Sequence, residues 1–110
     1  MATTYTRTGV QGTSSTGTYT TLYTTGTGEV AVFSTIAIVN TASAAATYRI
    51  GFDTTAGTPD ATEWLVYDAT VAGNDTVFLS LGVSIPQNTY IRVSSSATTV
   101  TFQAFLSKIT

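Results

Sequence analysis

Val30-Ala31-Val32-Phe33-Ser34-Thr35-Ile36-Ala37-Ile38-Val39 is the longest apolar stretch of the chain, broken only by Ser34 and Thr35. Its β-branched and aromatic side chains suit a pleated strand better than a helix. A membrane-spanning helix needs about twenty apolar residues, so this stretch is too short to be one. Strict alternation along a strand 29–39 puts Val30, Val32, Ser34, Ile36 and Ile38 on one side. Ala31, Phe33, Thr35, Ala37 and Val39 fall on the other, which makes both faces apolar. A strand of that kind lies in the middle of a structure, or has its outer face covered by another chain.

Period-two alternation recurs on either side, separated by turn residues. Strands are predicted at 18–24, 46–53, 62–68, 76–82, 89–94 and 98–109. In 46–53, Tyr48, Ile50 and Phe52 face inward, with Thr47, Arg49 and Asp53 outward. In 62–68, Trp64 and Val66 share one face, Leu65 and Tyr67 the other. Val77, Leu79 and Leu81 point inward from 76–82, and Ile91 and Val93 from 89–94. The final strand turns Val100, Phe102, Ala104 and Leu106 one way, Phe105 and Ile109 the other. Turn signals spaced about eight to twelve residues apart, with no 3.6-residue periodicity, describe an all-β domain. The expectation is one β-sandwich of seven to eight antiparallel strands over 18–110, jelly-roll-like or immunoglobulin-like. Residues 1–17, rich in Thr, Ser and Gly, read as an extended N-terminal arm that orders only when docked.

The 110 residues fit one small domain, and a chain of this length buries roughly two-thirds of its unfolded surface. Charged residues make up only 9%, against about a quarter in an ordinary soluble domain. Six acids oppose Arg7, Arg49, Arg92 and Lys108, for a net charge of −2. Four scattered cations cannot neutralise a run of phosphates, so neither nucleic acid nor an anionic membrane is an expected partner. The polar start, Met1 to Thr6, has no apolar segment of the secretory kind. The absence of cysteine fits synthesis in a reducing cytoplasm.

The chain also lacks histidine, which with the missing cysteine removes imidazole bases, thiol nucleophiles and nitrogen or sulfur metal sites. Its many hydroxyls have no positioned base to activate them, and Lys108 is the only lysine. Glu63 and Asp68, five residues apart on a strand, point to opposite faces and lie some 16 Å apart by the strand rise. That arrangement does not suit paired-carboxylate catalysis. Asp53, Asp60 and nearby carbonyls offer hard oxygen ligands, but at no recognised calcium-loop spacing. Gly26, Gly28 and Gly51 open no helix and form no phosphate loop. No catalytic residue, cofactor or metal is therefore expected. Trp64, Tyr67, Tyr48 and Tyr90 supply aromatic surface for a sugar-stacking platform, although strand aromatics also serve as core and cross-strand partners.

Low charge combined with two-sided apolar strands is unusual for a freely diffusing monomer, because large exposed apolar patches normally mark an interface. The sequence thus points to a structural protein covered by identical copies or by a larger assembly. Contact candidates are Tyr5, Arg7 and Val10 of the arm, together with Phe33, Phe105 and Ile109.

Several segments carry a resemblance. They are Val32–Thr41 (VFSTIAIVNT), Ala46–Gly51 (ATYRIG), Val66–Asp68 (VYD), Ala72–Gly82 (AGNDTVFLSLG) and Tyr90–Phe102 (YIRVSSSATTVTF). Together they resemble small virion structural proteins of tailed bacteriophages, including phages of cyanobacteria, across residues 18–110. The resemblance implies a β-sandwich assembled on the particle, as a capsid decoration (cement) protein or as a tail, baseplate or neck component. It supplies no catalytic residues. It implies a virion location after synthesis in the bacterial host, with the chain itself, as a homo-oligomer with a trimer favoured, and the major capsid protein as partners. A glycan-binding host-attachment module is the reading from a different functional class.

Overall fold

The computed structural model describes residues 2–110, apart from the side chain of Leu81. Met1 and the expected inward direction of Leu81 lie outside that description. Eight strands follow in order: β1 (Thr3–Gln11), β2 (Thr20–Thr24), β3 (Val30–Asn40), β4 (Ala46–Asp53), β5 (Trp64–Val71), β6 (Asp75–Ile85), β7 (Tyr90–Ser95) and β8 (Val100–Ile109).

β1 pairs with β8, β2 with β7, β3 with β6 and β4 with β5, all antiparallel. These nested pairs are the rungs of one long hairpin folded over on itself. The β3–β8 and β4–β7 ladders then join them into two four-stranded sheets. The first has the order β1-β8-β3-β6 and the second β2-β7-β4-β5. An eight-stranded, double-sheet arrangement of this connectivity is a jelly roll. Of the two sandwich types expected from sequence, the topology selects that one over the immunoglobulin type.

Between the sheets, Phe33, Ile36, Ile38, Phe102 and Leu106 of the first meet Leu22, Tyr48, Ile50, Ile91 and Val93 of the second. Tyr48 and Phe102 stand edge to face across the gap, with ring centroids 6.2 Å apart. Such pairs add about 1 kcal/mol beyond the area they bury. The inward residues expected from β4, β7 and β8 are in place.

β3 departs from simple alternation. Its register shifts between Phe33 and Thr35 against both neighbouring strands. Between paired rungs, β3 spends two residues where β8 spends one, the signature of a bulge. Ser34 sits at this step, exposed, with its hydroxyl donating to the Phe105 carbonyl at 3.0 Å. The extra residue reverses the phase, so Ala31 and Phe33 before it and Ile36 and Ile38 after it all face the core. The expected two-sided apolar strand is thereby corrected, since its large side chains share one face.

β5 is corrected in the same way. Its register slips against β4 between Tyr48 and Ile50 and again between Ile50 and Gly51. Val66 consequently packs on the core, while Trp64 and Tyr67 both lie outside, instead of Trp64 sharing a face with Val66. Asp68 adopts a left-handed backbone with φ of 55°, uncommon for a non-glycine residue. Gly51 is required beneath this bulge, because a Cβ there would meet Pro59 at 2.8 Å and the Trp64 ring at 2.9 Å.

Residues 3–11, expected as an arm outside the sandwich, form β1, paired along its length with β8. From Gly12 the chain crosses to the outer side of the second sheet. Thr13 and Ser95 lock that crossing with reciprocal hydrogen bonds, including Thr13 N to Ser95 Oγ and Ser95 N to Thr13 Oγ1, both 3.0 Å. Ser95 Oγ also donates to the Thr13 carbonyl at 3.0 Å.

Candidate functional site: a nearly uncharged sheet face

The outer face of the β1-β8-β3-β6 sheet is read from its registers. Thr6 lies opposite core-facing Leu106, so Tyr5, Arg7, Gly9 and Gln11 face outward from β1. β8 presents Thr101, Gln103, Phe105, Ser107 and Ile109 there, by alternation with its buried residues. Ala37 lies opposite Phe78, between the inward Ile36 and Ile38, which places Phe78 on the same outer face of β6. Among the described residues at these positions, Arg7 is the single charge. Tyr5 is 84% exposed, Phe78 68% and Phe105 39%.

Three of the predicted contact residues come together on this face. Tyr5, Arg7 and Phe105 line a shallow groove with Ser34 and Ser107. Arg7 lies directly across the ladder from Phe105. The Arg7 guanidinium donates to Gln103 Oε1 at 3.5 Å, and among the described residues no carboxylate pairs with it. Ile109 is half-buried at the end of the same strand. Two candidates are elsewhere: Phe33 is in the core at 2% exposure, and Val10 packs inward against it. Phe78 was missed, although its phase was visible in sequence, since inward Val77 and Leu79 leave it outside.

The outer face of the β2-β7-β4-β5 sheet is different in character. Arg49 of β4 reaches the bulge of β5, where its Nε donates to Asp68 Oδ1 at 2.7 Å and its second terminal nitrogen to Oδ2 at 3.1 Å. Its remaining terminal nitrogen donates to the Thr16 carbonyl and the Tyr19 hydroxyl, both at 3.1 Å. The guanidinium lies 4.0 Å from the centre of the Tyr67 ring. Trp64 stands at 72° to Tyr67, centroids 5.0 Å apart. The hydrogen bonds from Arg49 hold the Asp68 carboxyl below the ordinary carboxylate range, and the same pairing raises Arg49. Arg92 braces the face nearby, donating to the Gly57 carbonyl and to Thr21 Oγ1.

Tyr48 and Tyr90, grouped with Trp64 and Tyr67 from sequence, do not join this cluster. Tyr48 is buried in the core, and Tyr90 lies at the far end of the β4 ladder opposite Asp53. Tyr19, Arg49 and Asp68 take their places. The loop carboxylates serve local turns: Asp53 accepts from Thr55 Oγ1 and Gly57 N, Asp60 from Thr62, and Glu63 from Asp60 N. Among the described residues, no three or more acidic side chains are grouped so as to hold a metal ion.

The fold and these faces define an all-β jelly-roll domain. No protein-family model matches the chain. No curated protein sequence matches it either. Among solved structures, a chain of the structure of infectious bursal disease virus, Gx strain, shares the fold at a TM-score of 0.50 and 8% identity. That match covers 98% of this chain and 33% of the viral one. A chain from the Gt strain aligns at a TM-score of 0.48 and 10% identity, again over 98% of this chain and 33% of that one. The protein thus spans about a third of the length of the neighbours it matches.

Proposed function

We propose that this protein is a non-enzymatic structural component of a virus particle, one that binds and stabilises an assembled shell as a capsid decoration protein of a tailed phage. The observation that carries the reading is the outer face of the β1-β8-β3-β6 sheet, with one charge and the exposed rings of Tyr5, Phe78 and Phe105. Burial of apolar area yields about 25 cal/mol per Å², so covering such a face against neighbours favours association. The open backbone of β6 adds to this. Ten consecutive residues, Thr76 to Ile85, carry no charge on an edge strand, where unprotected edges invite pairing.

Further support comes from the jelly roll shared with a chain of a virus structure and from the phage-protein resemblance of residues 18–110. The partners in this reading are further copies of the chain, a trimer being the favoured form, and the major capsid protein. The mechanism is linkage: contacts available only on the assembled shell stabilise that shell by mass action. A chain without histidine or cysteine has few means of chemistry, which fits a role made of contacts alone.

The test is co-sedimentation of purified protein with empty phage shells, followed by imaging of a labelled copy. Saturable binding on the shell lattice supports decoration. Label confined to the tail, baseplate or neck transfers the role to that site, and no binding to any part of the particle rejects it.

A further inference from the structure

We infer that the Tyr67–Trp64 corner on the opposite sheet, with the Arg49–Asp68 pair beside it, is a binding site for neutral carbohydrate. This inference stands independently of the shell-binding reading, because it uses the other face of the sandwich. Four observations carry it, all outside the core.

The first is aromatic surface where no packing demands it. Tyr67 is 56% exposed even though the Arg49 guanidinium lies 4.0 Å from its ring centre, and Trp64 stands at 72° beside it, so much of the Tyr67 ring meets solvent. The apolar C–H face of a pyranose ring stacks on such surface, as apolar groups do on any aromatic face.

The second is a hydrogen-bonding inventory with capacity left over. Each Asp68 oxygen accepts one bond from Arg49, and a carboxylate oxygen has room for a further one. Four of the five guanidinium N–H groups are occupied by Asp68, Thr16 and Tyr19, which leaves one for a ligand. Two acceptor positions and a donor beside an aromatic face suit the vicinal hydroxyls of a sugar. Because the pair is mutually neutralised and the chain is net negative, the arrangement favours an uncharged sugar over an acidic one.

The third is strain in the right place. Asp68 holds its left-handed backbone at an exposed position, next to Tyr67, where a glycine would be more comfortable. The fourth is rigidity. Thr16, Tyr19 and Asp68 fix the guanidinium, whose side chain is 15% exposed against 43% for Asp68, and the guanidinium in turn backs the Tyr67 ring. A site fixed before binding loses little entropy when a ligand arrives.

Trp64 is the only tryptophan, so its emission reports on this corner alone. Intact protein is titrated with glucose, galactose, mannose, N-acetylglucosamine and their β-linked disaccharides into the millimolar range. The expected result is a saturable change in Trp64 emission with at least one sugar. Tyr67→Ala then weakens it about tenfold or more, Tyr67→Phe retains it, and Asp68→Asn weakens it with the fold intact by circular dichroism. No saturable change with any sugar overturns the inference. So does binding that survives in Tyr67→Ala.

Discussion

Phe33 and Ile36 lie three residues apart on β3, yet both point into the same core, at 2% and 1% exposure. An ideal strand would turn them to opposite faces. The register step at Ser34 reconciles them, and with it the stretch 30–39 supplies one dense inner face in place of two thin ones.

Deletion of Ser34 is expected to keep cooperative folding, with only a modest loss of melting temperature. Without the extra residue, Phe33 and Ile36 stand two apart, and simple alternation holds Ala31, Phe33, Ile36 and Ile38 on one face. Thermal unfolding followed by circular dichroism checks this. A deletion variant that no longer melts cooperatively contradicts the assignment.

Phe33 and the outer aromatics separate in the same assay. Phe33→Ala should lose about 3–5 kcal/mol by denaturant titration, the usual cost of truncating a buried ring. At a dilution where the chain is single, Phe78→Ser and Tyr5→Ser should each stay within about 0.5 kcal/mol, as exposed substitutions do. A large loss at Phe78 would place it in the core.

These residues also show where the sequence was readable. Alternation correctly set Tyr48, Ile50 and Phe52 against Arg49 and Asp53, and Val100, Phe102, Ala104 and Leu106 against Phe105, because β4 beside β7 and β8 beside β1 run without slips. It failed at β3 and β5, where bulges reset the phase and no glycine or proline marks the step. The early segment misled for a different reason. β1 is an edge strand of threonines whose inner side makes only partial contact, so its composition resembles a solvated arm. Of the candidate contacts, Phe105 was legible as an outward residue, whereas Tyr5 and Arg7 were named on an arm to which no face was assigned. The Arg49–Asp68 pairing was not legible, since it depends on the β5 bulge that carries Asp68.

Asn40 is a polar keystone whose loss should be costly. Its side chain is 1% exposed, donating to the Ala44 carbonyl at 2.8 Å and accepting from Ala42 N at 3.1 Å and from Thr99 Oγ1 at 3.2 Å. Asn40→Leu keeps the branched shape but strands those partners, for an expected loss of about 2–3 kcal/mol in denaturant titration. An unchanged midpoint would show that water or the backbone replaces them.

Asp68 and two tyrosines, Tyr23 and Tyr48, set the pH response. Asp68 titrates below its ordinary value of 3.8, chiefly through the hydrogen bonds from Arg49. Below that value the unfolded chain binds the proton first, so stability rises with pH there. The contribution is complete above pH 3.8 and disappears as pH falls through the lowered folded value. Tyr23 acts at the alkaline end, pushed from 10.0 up to about 12 by burial and then by its hydrogen bond to Glu29. Between those values the unfolded chain ionises first, and stability falls as pH rises. Unfolding midpoints against pH should lose the acid slope in Asp68→Asn, while Tyr23→Phe should make the alkaline slope shallower and leave the part owed to Tyr48, whose hydroxyl is also pushed up by burial. An unchanged slope in either variant would assign it to another group.

The most direct test of the account is the mass of the protein in solution, by sedimentation equilibrium, for the parent and for the combined Tyr5→Ser, Phe78→Ser, Phe105→Ser variant. The account predicts a discrete multiple of the single-chain mass for the parent and a folded single chain for the variant. A parent that stays a single chain at every concentration, or a variant that assembles as the parent does, would contradict it.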